Sequence, residues 1–388
     1  MDINPERRAF IKWTGLAAGA VALPAKGSTA RGRATRKKSD APKLSEDVVR
    51  HLQNLYSERH RTYTFRNDYP GGFRKWQADA RPVLRRLIGL DRIGALAGEH
   101  APTVKLDPPK DLGRCTRQRG QIDTEPNVCI PFWLLKPKGR GPFPLAVMPH
   151  GHSKRGYDVY AGVYPTEADR RRALSEDRDV AVQAAERGFV AVAPATRGLG
   201  ADGVPDVHGR HGKRDCRSQL MHCLLAGRTP IGERIWDVQR IMDWAAGLPE
   251  VNAKDILMMG NSGGGMVTIY AAACDERITI AVPSCSFCVL VSPQGRIYHC
   301  DCNMIPGILG FGDFYDVAGL IAPRHLLTVN GRTDALFSVA DVSHAAERVR
   351  AIFAASGHSA RYRHRWGSAG HRFYKDLMWP FVLGALTS

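Results

Sequence analysis

The spacing of apolar residues along this chain changes near residue 115. Between Leu44 and Leu90 they recur at helical intervals, as in Val48, Leu52 and Leu55. Beyond residue 115, short apolar runs alternate with helical stretches, which is typical of a mainly parallel sheet with helices on both faces. The pattern therefore predicts an α/β fold preceded by a helical N-terminal extension.

The short apolar runs place the predicted strands, and the intervals between them place the helices. We expect strands at residues 128–135, 145–148, 190–193, 256–259, 280–283, 326–329 and 360–366. We expect helices at residues 179–187, 233–246, 264–273 and 340–355. Together these elements form one α/β domain.

The first 43 residues follow neither pattern. Glu6-Arg7-Arg8 precedes an apolar run from Trp13 to Pro24, and Ser28-Thr29-Ala30 then offers a small-x-small cleavage site. This resembles a twin-arginine export signal, with Glu6 where Ser or Thr is usual. An amphipathic helix or a membrane anchor is the alternative, although the apolar run is short for a bilayer span. We expect residues 1–30 to engage the twin-arginine machinery, without a stable membrane anchor, and the protein to be periplasmic or secreted.

The net charge of the chain indicates which binding partners are favoured, but it does not indicate the type of reaction. The formal net charge is +17, and residues 1–40 contribute +6 of it. The positive charge that remains favours polyanions or acidic polysaccharides as partners, but says nothing about reaction type. Zinc-finger spacings and aromatic RNA-binding signatures are missing from the sequence, so we do not expect nucleic-acid binding.

A candidate nucleophile follows the predicted strand at 256–259. The sequence Gly260-Asn261-Ser262-Gly263-Gly264 leads from this strand directly into an apolar helical stretch, as a nucleophile elbow requires. Glycines flank the serine where the turn needs unusual dihedrals or close packing. The alternative is a glycine-rich structural turn. We predict that Ser262 is the nucleophile of a serine hydrolase.

A serine nucleophile needs a base and an acid that orients the base. Asp334 follows the strand at 326–329, and His371 follows the last strand. The order Ser, Asp, His is that of the α/β-hydrolases. Asp334 as a loop-capping residue and His371 as a helix N-terminal residue are the structural alternatives. Asp313 and Asp316 are reserve candidates for the acid.

Two backbone N–H groups are needed to hold the oxyanion of the tetrahedral intermediate. We expect one from Gly263 and the other from His152, in the Pro149-His150-Gly151-His152 turn after the strand at 145–148. His150 and His152 also suggest zinc ligation, but no acidic or Cys partner lies at ligand spacing. We expect neither a metal nor an organic cofactor.

The nine cysteines leave several interpretations open. An odd number in an oxidising compartment leaves at least one thiol free or paired between chains. Cys285, Cys288, Cys300 and Cys302 fit a disulfide-stapled loop, free thiols or, less well, a metal site. Cys216 and Cys223 are another candidate bridge. Arg197, just after the strand at 190–193, is expected at the surface or at a pocket rim.

From about Val128 to its end, the chain resembles α/β-hydrolases of the dienelactone-hydrolase-like and acetylxylan-esterase-like (cephalosporin C deacetylase) branch. The resemblance rests on the turns around His152 and Ser262, on Trp236-Asp237 ahead of Pro249-Glu250-Val251, and on Leu320-Ile321-Ala322-Pro323-Arg324 before Asn330-Gly331-Arg332-Thr333-Asp334. It implies roles for Ser262, Asp334 and His371 as the triad, and for Gly263 and His152 as oxyanion donors. Serine replaces the cysteine of dienelactone hydrolases, and Gly263 stands where the commonest deacetylase elbow has Gln.

These observations divide the chain into a signal peptide (1–30), a flexible basic linker (31–43), a helical N-terminal extension (44–110) and an α/β-hydrolase catalytic domain (111–388). The resemblance implies an exported esterase that cleaves short acyl groups, acetyl above all, from carbohydrate through an acyl-enzyme. A prolyl-oligopeptidase-like peptidase is an alternative, although the N-terminal residues are too few for a propeller. A hydrolase of lactones or xenobiotic esters and a non-catalytic binding protein on this fold are the others.

Overall fold

The computed structural model describes residues 45–200 and 204–387. The predicted signal peptide and linker lie outside these residues. From Glu46 onward the chain forms one compact unit. None of the described helices has the length and apolar character needed to cross a bilayer.

The described residues contain a ten-stranded sheet. Its strands are β1 (Val104–Leu106), β2 (Lys110–Asp111), β3 (Cys115–Glu125), β4 (Val128–Pro137), β5 (Phe143–Val147), β6 (Val190–Pro194), β7 (Val251–Asn261), β8 (Ile280–Ser284), β9 (His325–Gly331) and β10 (Tyr362–Gly367). All seven predicted strands are therefore present. The strands β1, β2 and β3 were not predicted.

Thirteen α-helices surround the strands within the described residues. They are α1 (Glu46–Leu55), α2 (Gly72–Leu87), α3 (Leu90–Ala97), α4 (Gly156–Tyr160), α5 (Glu167–Ser175), α6 (Val180–Glu186), α7 (Asp215–Leu225), α8 (Pro230–Ala245), α9 (Gly263–Cys274), α10 (Ile308–Phe311), α11 (Phe314–Gly319), α12 (Val339–Ala355) and α13 (Lys375–Leu386). The four predicted helices correspond to α6, α8, α9 and α12.

The strands lie in the order β1-β3-β4-β6-β5-β7-β8-β9-β10, with β2 paired to β3. From β6 to β10 every neighbouring pair is parallel, whereas β1 to β4 join by antiparallel pairing. The predicted mainly parallel sheet is confirmed. Because the carboxyl ends of parallel strands share one edge, the loops after β5, β7, β9 and β10 meet there.

Both faces of the sheet are covered, because alternate side chains of a strand point to opposite sides. Val190 and Val192 of β6 belong to one buried apolar cluster together with residues of α2, α8, α9 and α12. Ala191 and Ala193 belong to a second cluster, with residues of α6 and α13. The prediction of helices on both faces is confirmed.

The N-terminal extension is helical only as far as Ala97. The expected helical segment to residue 110 is wrong at its end, because β1 and β2 pair with β3 at the edge of the sheet. The extension packs firmly on the sheet domain: Trp76, Ala80 and Leu84 of α2 are fully buried. Nearby, the Thr62 N–H donates to the Gly310 carbonyl at 2.9 Å.

Candidate active site

Ser262 lies in a sharp turn between the end of β7 and the start of α9. Its φ is 58° and its ψ is −123°, a conformation that an L-residue adopts only when its surroundings impose it. The Ser262 N–H donates to the Ser284 carbonyl of β8 at 2.9 Å. A β-carbon at Gly264 would lie 2.0 Å from the Pro149 carbonyl oxygen, so only glycine fits there. The turn thus has the strand, strained serine and helix of a nucleophile elbow.

Asp334 and His371 form a direct pair at the same edge of the sheet. Asp334 Oδ2 lies 2.7 Å from His371 Nδ1, and Asp334 Oδ1 accepts from the Leu336 N–H at 3.0 Å. Burial raises the pKa of Asp334, but the hydrogen bonds with His371, the Leu336 N–H and Cys285, together with the charge of His371, outweigh this effect and keep the pKa below its usual value. Arg178 Nη2 donates to the His371 carbonyl at 3.0 Å and fixes the backbone that carries the imidazole.

The two reserve acids occupy structural positions instead. Asp313 caps the N-terminus of α11, and Asp316 accepts from the Asp313 N–H in a reciprocal capping box. Asp316 also accepts from the Phe65 N–H at 2.9 Å, and Asp313 pairs with Arg61 at 3.2 Å. Burial raises the pKa of Asp316 to about 7. Both carboxyl groups therefore attach the N-terminal extension to α11.

The loop after β5 lies directly against the elbow. A β-carbon on Gly151 would be 2.9 Å from the Ser262 β-carbon and 3.2 Å from the Gly263 nitrogen. Within the described residues, the N–H groups of Gly263 and His152 donate to no other group. Gly263 is also the first residue of α9, where the helix dipole favours negative charge. Both N–H groups are therefore available to donate hydrogen bonds to an oxyanion.

His150 takes no part in metal binding. Its Nδ1 contacts the Gly151 carbonyl at 2.6 Å, and its Nε2 accepts from the Thr196 N–H at 2.9 Å. Burial lowers its pKa to about 4, so the imidazole is neutral near pH 7. With both ring nitrogens engaged by the backbone, His150 holds the loop after β5 against β6.

Two cavities meet at Ser262. One, of about 340 Å³, is lined by Ser262 and His371 together with charged side chains that include Arg155, Arg172 and Glu176. The other, of about 390 Å³, is lined by Ser262, Gly263 and a more apolar set: Met266, Tyr298, Phe337, Leu336 and Cys285, with Arg214 and His152 among the polar groups. A substrate bound at the serine therefore has a charged cavity on one side and an aromatic cavity on the other.

Comparisons with known proteins agree with this architecture. No protein-family model matches the chain. One curated relative, "Putative hydrolase YtaP" of Bacillus subtilis, is 26% identical over 254 residues, which is 64% of this chain and 80% of the relative.

Solved structures give more extensive matches. A "putative acetyl xylan esterase" from Bacteroides fragilis superposes with a TM-score of 0.65 at 17% identity, covering 89% of this chain and 86% of that one. "Methylesterase BT1017" gives 0.61 at 19% identity, over 88% of this chain and 68% of the other. A glucuronoyl esterase from Solibacter usitatus gives 0.59 at 16% identity, over 81% and 93%. The chain has the α/β-hydrolase fold.

Contrary to expectation, Arg197 is neither at the surface nor at a pocket rim. Its guanidinium pairs with Asp237 of α8 and with Glu125 at 2.8 Å, and its side chain is 11% exposed. Arg228 contacts the same Glu125 oxygen at 2.8 Å. The network joins β3, α8 and the loop after β6, which accounts for an aspartate at position 237 beside Trp236.

All nine cysteines lie in the described part of the chain, and none of them forms a disulfide there. The candidate Cys216–Cys223 bridge is not formed, because both residues lie on α7. Seven residues of helix separate their backbones by about 10.5 Å, beyond the reach of a disulfide. A disulfide-stapled loop of Cys285, Cys288, Cys300 and Cys302 is likewise not formed.

Three of these cysteines surround the side chain of His152. The ligand atoms of His152, Cys216, Cys300 and Cys302 all lie within 4.8 Å of one another. His152 as a whole is exposed, but its Nε2 lies 3.4 Å from the Cys302 sulfur. Burial lowers the pKa of His152, but hydrogen bonds with the three sulfurs outweigh it and raise the pKa to about 11. No spacing of residues along the chain indicates this cluster, because its members come from three distant segments.

Proposed function

We propose that this α/β-hydrolase is a serine esterase that cleaves carboxylic esters of carbohydrates through an acyl-enzyme. The observation that carries the proposal is the strained Ser262 in the same cavity as His371, whose Nδ1 lies 2.7 Å from Asp334. A nucleophile, a base and an acid that orients the base thus lie at the strand edge where this fold builds its sites.

In the first half of the reaction, Ser262 Oγ attacks the ester carbonyl carbon while His371 Nε2 takes its proton. Asp334 accepts from Nδ1, which leaves Nε2 free as the base and stabilises the imidazolium that forms. The N–H groups of Gly263 and His152 hold the oxyanion, assisted by the N-terminus of α9. The tetrahedral intermediate collapses, and the alcohol leaves with the proton from His371.

In the second half, a water molecule replaces the alcohol. His371 takes a proton from the water as it attacks the acyl-enzyme carbonyl, and the same two N–H groups hold the second oxyanion. The carboxylic acid departs as Ser262 recovers its proton. The cycle consumes one ester and one water, and returns the enzyme unchanged.

The two cavities support a carbohydrate ester as substrate. Charged and polar groups such as Arg155, Arg172 and Glu176 suit the hydroxyl groups of a sugar. Tyr298 and Phe337 on the other side offer ring faces. The structural neighbours named above are esterases whose names refer to xylan acetyl groups and to methyl or glucuronoyl esters. We propose short acyl groups, acetyl foremost, on a polysaccharide.

The test is hydrolysis of p-nitrophenyl acetate, butyrate and octanoate by the wild type, by Ser262→Ala and by Ser356→Ala. Ser356 lies at the end of α12, away from both cavities, and controls for loss of a serine hydroxyl. We expect the acetate ester to be cleaved best, Ser262→Ala to be inactive and Ser356→Ala to match the wild type. Acetate release from acetylated xylan tests the carbohydrate assignment.

Other outcomes have definite meanings. An active Ser262→Ala overturns the elbow assignment. A preference for octanoate or for lactones overturns the short-acyl assignment. A folded wild type inactive on all these esters, but active on peptides or merely binding carbohydrate, would favour the peptidase or the binding protein.

We also propose that residues 1–30 direct export through the twin-arginine machinery. The support is the Arg7-Arg8 pair ahead of a short apolar run. Replacing both arginines by lysine in a fusion of residues 1–43 to a reporter should keep the reporter in the cytoplasm. A reporter exported equally well by the lysine variant would disprove this route.

A further inference from the structure

The cluster of His152, Cys216, Cys300 and Cys302 has the composition of a metal site. His152 follows β5, Cys216 lies in the first turn of α7, and Cys300 and Cys302 flank Asp301 in a short 3-10 turn. His152 Nε2 lies 3.4 Å from Cys302 Sγ, and all four ligand atoms fall within 4.8 Å of one another. Three sulfurs and one imidazole nitrogen are a ligand set typical of structural zinc.

The separations suit one tetrahedral ion. With Zn–S near 2.3 Å and Zn–N near 2.0 Å, a tetrahedron has N–S edges of about 3.5 Å and S–S edges of about 3.8 Å. The observed N–S distance of 3.4 Å matches the first value, and the 4.8 Å limit requires at most a small contraction. We propose that these four side chains bind a structural Zn²⁺ ion, which the sequence alone did not predict.

Charge around the cluster favours the metal-bound form. Zinc binding releases to solvent the three thiol protons and the acidic proton of the His152 ring, so three thiolates, a neutral imidazole and Zn²⁺ carry a net charge of −1. Arg214 and Arg217 flank Cys216, and both contact Asp301 Oδ2, at 2.9 and 3.0 Å. Arg234 donates to the Cys302 carbonyl at 3.3 Å. Three guanidinium groups thus surround an anionic centre.

Asp301 has a contact that metal binding must change. The Cys300 thiol donates to Asp301 Oδ1 at 3.1 Å, and that hydrogen bond is lost when the thiol ionises. The same oxygen accepts from the Cys302 N–H at 3.1 Å, while Oδ2 keeps Arg214 and Arg217. The carboxylate therefore remains hydrogen-bonded and continues to hold the turn against α7.

Four protein ligands leave no open position on a tetrahedral ion, so the proposed zinc is structural rather than catalytic. It would join the loop after β5, the start of α7 and the 300–302 turn. The site itself is independent of the proposed esterase activity. A consequence for catalysis rests on that activity: the ion would fix the loop whose His152 N–H serves as an oxyanion donor.

The test measures metal rather than activity. The full chain, purified under reducing conditions with added zinc and then dialysed, should retain about one Zn per chain by elemental analysis. Cys216→Ser and Cys300→Ser should lose most of it. Cys223→Ser is the matched control, because this buried cysteine lies on the same helix outside the cluster. Ser262→Ala should retain zinc as the wild type does, which separates this result from the esterase assignment.

A second measurement does not depend on the folding of the variants. Co²⁺ added to the metal-free wild type should give the intense thiolate-to-cobalt charge-transfer and tetrahedral d–d absorption of a sulfur-rich site, and Zn²⁺ should displace it. Failure to bind either ion, or equal loss of zinc in Cys223→Ser, overturns the proposal. A disulfide between two of the three cluster cysteines in the metal-free native protein, found by peptide mapping, also overturns it.

Discussion

The Cδ1 atom of Leu199 lies 2.6 Å from the position that a β-carbon on Gly263 would occupy. Leu199 packs with Cys216 and Cys302, so the small cluster beside His152 fills the space next to the elbow. A side chain after the nucleophile, such as the Gln of the commonest deacetylase elbow, would have to displace this Leu199 methyl group. Gly263 is therefore matched to its neighbours in this chain.

Gly263→Gln should lower both esterase activity and thermal stability. Overpacking of this kind typically costs about 1–3 kcal/mol, and the shift falls on a proposed oxyanion donor. Adding Leu199→Ala should recover part of the stability, because it removes the obstructing methyl groups. Melting curves and kcat/KM of the single and double variants provide the comparison. A Gly263→Gln protein as stable and active as the wild type would contradict this account.

Asp334→Asn should reduce kcat by about 10⁴-fold, as expected when the base loses the group that fixes its tautomer. Asp316→Asn is the control, because that carboxyl group caps α11 and contacts the Phe65 N–H instead. The control should lose stability while its folded fraction keeps a near-normal kcat. If folded Asp334→Asn and folded Asp316→Asn lose kcat equally, Asp316 is again a candidate for the triad acid.

Acidification from pH 7 to pH 5 should destabilise the protein through its buried histidines. Burial, with nearby Arg350, Arg365 and Arg332, lowers the pKa of His364 to about 4, and burial does the same for His150 and His299. Unfolded histidine titrates near 6.5, so between these values the unfolded state binds more protons, and stability falls as the pH drops. Asp316, whose pKa is raised to about 7, acts in the opposite direction.

His364→Asn should flatten this pH dependence by on the order of 1 kcal/mol between pH 7 and pH 5. The measurement is chemical denaturation of the variant and wild type at both pH values. His208→Asn is the control, because that residue is exposed. If His208→Asn changes the pH dependence of the unfolding free energy as much as His364→Asn does, burial of His364 is not the cause.

Asp237→Ala should destabilise the protein by about 3–5 kcal/mol, because Arg197 is left buried without its closest partner. Asp243→Ala on the same helix is the control: Asp243 pairs with Arg240 and Arg277, which are more exposed, and its loss should cost less than about 1 kcal/mol. Denaturant titration compares the two. Similar losses would mean that burial does not set the strength of these pairs.

The sequence predicted elements whose apolar pattern is strong. Buried strands such as β7 and β9 contain continuous apolar runs, and Ser262 and Asp334 each follow such a strand. The strand β3 was missed because its residues, Cys115–Glu125, are mostly polar, and only some of them are buried. The helix α7 was missed because its apolar positions form no clear face.

Contacts between residues that are far apart in the sequence were the second feature that sequence analysis did not predict. Arg197 was placed at the surface because its acidic partners, Glu125 and Asp237, are 72 and 40 residues away. Cys216 and Cys223 were a candidate bridge because they are close in sequence, although the neighbours of Cys216 in space are His152, Cys300 and Cys302. Spacing identifies sites within one turn or hairpin, whereas these depend on how the whole sheet brings loops together.

The packing of the N-terminal extension has a consequence for how the protein is made. Arg81 of α2 donates to the carbonyls of Ala273 and Leu320, and Gln77 to that of Ala322. These acceptors leave the ribosome roughly 10–50 s after α2, at 5–20 residues per second. During synthesis the apolar face of α2 therefore stays unpacked until these residues have been made. Although α2 is synthesised early, it is among the last helices to dock in its native position.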